Sequence, residues 1–160
     1  MTAEEIIRKL KLQPHPREEG FFLETYRCSD KIPCYDGERS HSTAIVFLLT
    51  AAGFSEMHRL RSDEIFHFYL GSPAEMLLLD SGGEGRVLRL GSDLTGGESP
   101  QIVVPRGTWQ GMRTTGDLTL FGCTVSPGFD YSDYETGNRD ELIRQYPAFA
   151  DLIRQLTRAL

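Results

Sequence analysis

An all-β fold with a short helix at either end is what this sequence predicts, on three observations. Short runs rich in Val, Ile, Leu, Phe and Tyr recur through the middle of the chain, separated by Gly, Pro, Asp and Ser clusters. A helical period of apolar residues occurs only near the two ends. There is no solenoid-length repeat and no low-complexity linker, so residues 1–160 read as one domain with one core. Roughly eight short strands in about 110 residues suggest a sandwich, jelly roll or small barrel.

The elements follow in order. Thr2 is placed to cap a first helix, with Glu5 completing a capping box. Ile6, Ile7 and Leu10 share one face, and Pro14 ends the helical segment. After "PHPREEG", where His15 reads as a loop residue, come the strand-like runs "FFLETYRC", "STAIVFLLT", "EIFHFYLG" and "AEMLLLD". "GRVLRLG", "QIVVPRG", "WQGMRT" and "LTLFGCTVSPGF" complete the series. Asn138 can then cap "RDELIRQY", with Glu141 at the box position. Pro147 opens a last helix whose Phe149, Leu152, Ile153 and Leu156 form an apolar stripe, packing against the outside of the sheets.

Composition narrows the function classes. The formal net charge is −6 with acids and bases interspersed, so no Lys/Arg cluster is available for a nucleic acid. The longest apolar run, "TAIVFLLTAAGF", falls short of a membrane span. "MTAEEIIRKLKL" lacks an apolar signal core, so the expected location is the cytoplasm. Three cysteines, Cys28, Cys34 and Cys123, are expected as free thiols.

The stretch "HRLRSDEIFHFYLG" raises the functional question, because it sets imidazoles and carboxylates among core-forming residues. Side chains alternate along a strand. Glu64, Phe66, Phe68 and Leu70 therefore share one face, and Ile65, His67 and Tyr69 the other. The first face is the bulkier and is expected inside, which puts a carboxylate at the mouth of an apolar cavity. Such a group needs a cation, a donor or its own proton. His58 precedes it across the turn "LRSD" and can approach from a neighbouring strand.

These residues also carry a family resemblance. The run resembles the first motif of the cupin superfamily, in which HxH is followed by Glu and then Gly. His58, Glu64 and Gly71 match, while Leu60 occupies the place of the second histidine. The second motif is a PxG followed by a histidine. Pro105 and Gly107 match it, and Gln110 stands where the histidine would be. "HRLRSDEIFHFYLGSP", "VVPRGTWQG", "GCTVSPGFDYSDYE" and the earlier "EEGFFLETYR" resemble the fifth cupin family, a domain of unknown function similar in fold to deoxysugar-nucleotide epimerases. The resemblance implies a double-stranded β-helix, the cupin jelly roll, usually as a homodimer.

Metal-dependent cupin enzymes generally hold a divalent ion with three histidines and a glutamate. Matched to that set, this chain offers His58, Glu64 and the weak amide oxygen of Gln110, with His67 as an outsider on the opposite face. A divalent metal is one expectation, held less tightly than by an imidazole-rich site. The other is a metal-free pocket in which His58 acts as a base beside Glu64, with Tyr26 or Tyr69 as the acid. On either reading a small polar ligand enters the barrel. Phe66, Phe68, Gln110 and Met112 are expected as its walls, and Arg113 as an anion contact at the rim. Thr43 is a candidate for the cavity mouth, Trp109 for a structural role, and "FDYSDYE" for either a connection or a lid.

Overall fold

A computed structural model of the chain describes residues 1–159. It begins with α1 (Ala3–Leu10) and β1 (Gln13–Pro14), followed by β2 (Phe21–Arg27) and a hairpin of β3 (Lys31–Cys34) and β4 (Gly37–Ser40). Next come β5 (Thr43–Thr50), β6 (Ser55–Arg59), β7 (Asp63–Gly71), β8 (Ala74–Leu79) and β9 (Gly85–Leu90). β10 (Gln101–Val104), β11 (Trp109–Thr114), β12 (Leu118–Ser126) and β13 (Glu135–Thr136) complete the strands. α2 (Arg139–Gln145) and α3 (Ala150–Gln155) close the chain. The strands form a six-stranded sheet in the order β1-β2-β5-β12-β7-β10 and a five-stranded sheet in the order β13-β6-β11-β8-β9. Pairing within both is antiparallel, and the two sheets face each other as a jelly roll.

Alternation sorts the side chains. Phe47 and Leu49 of β5, Phe66 of β7 and Phe121 of β12 point between the sheets, meeting Met76 and Leu78 of β8 and Met112 of β11. The intervening residues build two outer layers. Leu77 and Leu79 of β8, with Met57 of β6, receive Leu142, Tyr146, Ile153 and Leu156 from the C-terminal helices. Leu48 and Leu120 on the other sheet receive Ile6 and Leu12. Gly111 allows the close approach of the last helix, since a Cβ there would collide with the Met57 sulfur and crowd Leu156.

Both expected helix caps are present. Thr2 and Glu5 form the reciprocal capping box, and Asn138 Oδ1 accepts from the Glu141 amide at 3.1 Å. The first helix ends before Pro14, at Lys11, whose φ of 56° is left-handed. All eight expected strands form, together with five that the pattern does not single out. The β3–β4 hairpin is polar, and β6 is interrupted by polar side chains at inward positions. One expectation about face is corrected. A bulge at Tyr69 pairs Phe68 with Phe121 but Leu70 with Leu120, so Leu70 turns outward and leaves the face shared by Glu64 and Phe66. The cysteines are unpaired.

Candidate functional site

At one end of the jelly roll the interior is hollow. The cavity has a volume of about 410 Å³. Its floor is assembled from both sheets and from a loop. Glu64 comes from β7, His58 from β6, and His15 and Glu18 from the loop between β1 and β2. Ile45, Leu60 and Val125 form apolar walls, and Phe22, Phe129, Tyr131 and Tyr134 add aromatic ones. A further void of about 20 Å³ continues inward past Glu64 to Phe66 and Phe121, large enough for one water.

The floor is heavily cross-linked. Glu64 and Gln110 belong to opposite sheets, and Gln110 Nε2 donates across the interior to Glu64 Oε2 at 2.7 Å. The other amide oxygen, Gln110 Oε1, is buried with no partner. His58 Nδ1 donates to the Glu56 carbonyl at 2.7 Å and lies 3.5 Å from Glu18 Oε1. A carbonyl only accepts, so this bond fixes the proton on Nδ1 and leaves Nε2 as an acceptor. The imidazole is also stacked on Tyr134, with centroids 4.6 Å apart and planes inclined by 10°. Tyr134 donates in turn to Glu56 Oε1 at 3.1 Å.

The N-terminal loop completes the set. His15 Nδ1 accepts from the amides of Arg17 and Glu18 at 3.2 and 2.8 Å, so its neutral ring carries the proton on Nε2, 3.7 Å from Glu18 Oε2. Ser55 hydrogen-bonds the other Glu18 oxygen. Burial lowers the His15 pKa, and the charges of His58 and Arg17 act in the same direction against Glu18. Burial raises the pKa of Glu64, opposed by His58 and by the Gln110 amide. The Cys123 thiol beside it is pushed well up, first by burial and then by the Glu64 charge, so it stays protonated. Tyr134 is likewise raised by burial and by Glu18 and Glu56.

His58, Glu64 and Gln110 are thus brought together, as the alternation implied, and Phe66 bounds the inner void. Thr43 reaches the cavity wall. Phe68 and Met112 do point inward, but they pack in the filled part of the interior and not on the cavity. Alternation sets the face of a residue without setting its depth along the barrel. Arg113 shares the outward face of Trp109, where it pairs with Glu75 at 2.7 Å and hydrogen-bonds Gln155, so it is no rim contact. His67 is outside too, bound to Thr124 at 3.0 Å and Gln101 at 3.2 Å. Tyr26 and Tyr69 are exposed, and the tyrosine beside His58 is Tyr134 instead. His15, Glu18 and Tyr134 were not selected from sequence. The only trace of the first two is an imidazole and carboxylates in the proline-bounded stretch "PHPREEG".

The donors present do not fit a three-histidine-and-glutamate metal centre. Leu60, in the place of the second imidazole, is buried against Val125 and Tyr134. Gln110 turns its NH2 group, not its oxygen, to Glu64. Among the described residues no three His, Cys, Asp or Glu side chains converge as a metal site.

A jelly roll whose open end carries an inward His and Glu from paired motif positions is a cupin. The chain belongs to the family described as Cupin superfamily (DUF985), which it matches over residues 4–137. It is similar to a crystallographically solved protein from Shewanella oneidensis, with 34% identity and a TM-score of 0.90, covering 100% of this chain and 99% of that one. A hypothetical protein from Leishmania major is 31% identical with a TM-score of 0.90, over 99% of this chain and 100% of the other. The fold extends to oxalate decarboxylase from Bacillus subtilis, at 12% identity and a TM-score of 0.59, over 92% of this chain but 38% of that enzyme. No curated protein matches. No helix among the described residues is long and apolar enough to cross a membrane.

Proposed function

We propose that this cupin binds a small polar metabolite in the barrel cavity. The observation that carries the reading is the gathering of His15, Glu18, His58 and Glu64 in a space of about 410 Å³ whose walls include Phe22, Ile45, Leu60, Val125 and Phe129. Ligand cavities typically enclose roughly 300–1,000 Å³ and use a few convergent polar groups in an apolar lining. Burying such groups is costly unless something answers their hydrogen bonds. A screen of metabolites by thermal unfolding, followed by calorimetry, tests this on the wild type and His58→Ala. The expected result is a ligand that raises Tm and loses at least about tenfold in affinity in the variant. A panel that leaves Tm unchanged overturns the reading.

A second reading is favoured by the orientation of His58. Its Nδ1 is held by the Glu56 carbonyl, its ring is stacked on Tyr134 in the cavity lining, and its Nε2 has no hydrogen-bond partner among the described residues. A positioned imidazole of this kind takes a proton next to a carbonyl, and the burial-raised Glu64 is the acid that returns one. Exchange of a carbon-bound proton of a keto sugar in D2O, lost in His58→Ala, is the expected sign of isomerase-type chemistry.

The molecule is proposed to work as a homodimer. The outer face of the six-stranded sheet supports this, because Tyr69 and Val103 stand about half exposed on adjacent strands. A monomer mass in light scattering at micromolar concentration would remove this part of the proposal.

A further inference from the structure

The chemistry of the ligand can be read from what the cavity has left unpaired, an inference that rests on the binding reading above. Beginning with the floor, His58 is 5% exposed, its Nδ1 is committed to a carbonyl, and Nε2 has no hydrogen-bond partner among the described residues. In the neutral ring that nitrogen is an acceptor. Beside it, Glu18 Oε2 has only the 3.7 Å approach of His15. Glu64 is 7% exposed and accepts from Gln110 and from the Cys123 thiol.

The charged groups of the lining are, by contrast, mostly acidic, Glu18, Glu24 and Asp130 against Arg27. Arg27 is the one arginine of the cavity lining, which holds no lysine. Its Nε and Nη2 donate to the two Glu24 oxygens at 2.8 Å, and Nη2 also reaches the Phe129 carbonyl at 3.1 Å. The Tyr134 hydroxyl is spent on Glu56. His15 keeps its proton facing Glu18 and is driven towards its neutral form by burial. Asp130 is held ionised by the hydroxyl and amide of Ser132. The cavity therefore offers acceptors and negative potential at its floor and aromatic faces on its walls.

A carboxylate or phosphate ligand would meet Glu18, Glu24 and Asp130, with Arg27 already paired to Glu24 and Arg17 outside the lining, over the Tyr131 and Tyr134 rings. We propose that the ligand is an organic amine, bound as its ammonium ion with N–H donors towards Glu18 and His58 Nε2 and its carbon skeleton against Phe22 and Phe129. Carboxylate and aromatic surfaces together are the usual surroundings of a bound ammonium group.

Three benzyl or benzoyl compounds of similar size test the charge assignment on the intact protein: benzylamine, benzyl alcohol and benzoate, compared by ligand-observed NMR titration. Benzylamine is expected to bind at least about tenfold more tightly than benzoate, with the alcohol between them. Glu18→Gln is expected to remove most of the amine's advantage while leaving benzyl alcohol little changed. The comparison on the wild type does not depend on that variant folding. If benzoate or the alcohol binds best, the cavity still binds small molecules and the amine assignment falls. If none of the three binds at millimolar concentration, the assignment falls; if a broad metabolite panel fails as well, the binding reading falls with it.

Discussion

The two ends of the barrel interior are built by the same strands and differ in what those strands send inward. On β5 the inward series runs from Phe47 through Ile45 to Thr43, and on β12 from Phe121 through Cys123 to Val125. Across them β7 changes from Phe66 to Glu64, and β11 from Met112 to Gln110. Two residues along each strand, the contents pass from large and apolar to smaller or polar. One end is consequently filled with buried apolar side chains, and the other is left open with titratable groups on its floor. The cavity comes from a graded choice of side chains within an unbroken set of strands.

Mutations at equivalent positions of the two ends should separate sharply in stability. Phe121→Ala, in the filled end, is expected to cost about 3–5 kcal/mol, since it leaves a void among Phe47, Phe66 and their neighbours. Ile45→Ala, on the wall of a space that already exists, is expected to cost about 1–2 kcal/mol. Urea unfolding of both variants measures the difference. Equal losses would mean that the open end is as tightly packed as the other.

The next test is pH. Glu64 has a folded-state pKa raised above its ordinary 4.5, mainly by burial. Protonated Glu64 binds its proton more tightly in the folded chain. Its contribution to stability is therefore full below pH 4.5 and is lost as pH rises through the folded value. Glu64→Gln is expected to flatten that fall, so its stability relative to wild type improves with pH across the window. Denaturant titrations at several pH values would show it, and parallel curves for the two proteins would contradict it.

A smaller effect is expected from Tyr134→Phe. The variant keeps the ring on His58 but deprives the buried Glu56 of its 3.1 Å donor, leaving Thr136 at 3.4 Å. The cost should be about 1 kcal/mol in thermal unfolding. Smallest of all is Arg113→Ala. It removes a pair that solvent screens at 40% and 22% exposure, at a cost of no more than about 1 kcal/mol. Ligand affinity should be unchanged, because Arg113 lies on the far side of its strand from the cavity.

Much of the frame was legible because it obeys local rules. Turn clusters marked the eight main strands, the caps at Thr2 and Asn138 marked two helix starts, and alternation placed Glu64 inside and His67 outside. The rule failed at Tyr69, where one extra residue in β7 reverses the face of Leu70. It was silent on depth, which is why Met112 and Phe68 were expected on the cavity and found in the packed end. His15 and Glu18 were illegible for another reason. They stand in a loop with no periodicity, and their positions depend on contacts with Phe22, Phe47 and Ser55. Tyr134 likewise follows a turn that folds back over His58, a meeting fixed by the tertiary fold.

That loop has a consequence for how this protein diversifies. The barrel supplies His58 and Glu64 from paired strands, which tolerate little change in length or pattern. His15 and Glu18 ride on "PHPREEG", a short connection between β1 and β2 outside the main run of strand pairings. Half of the cavity floor is thus carried on an exchangeable cassette. Grafting a different sequence of equal length there would give the same scaffold a new selectivity, provided Gly20 is kept, since a Cβ at its φ of 126° would collide with Phe47 and the Leu48 carbonyl.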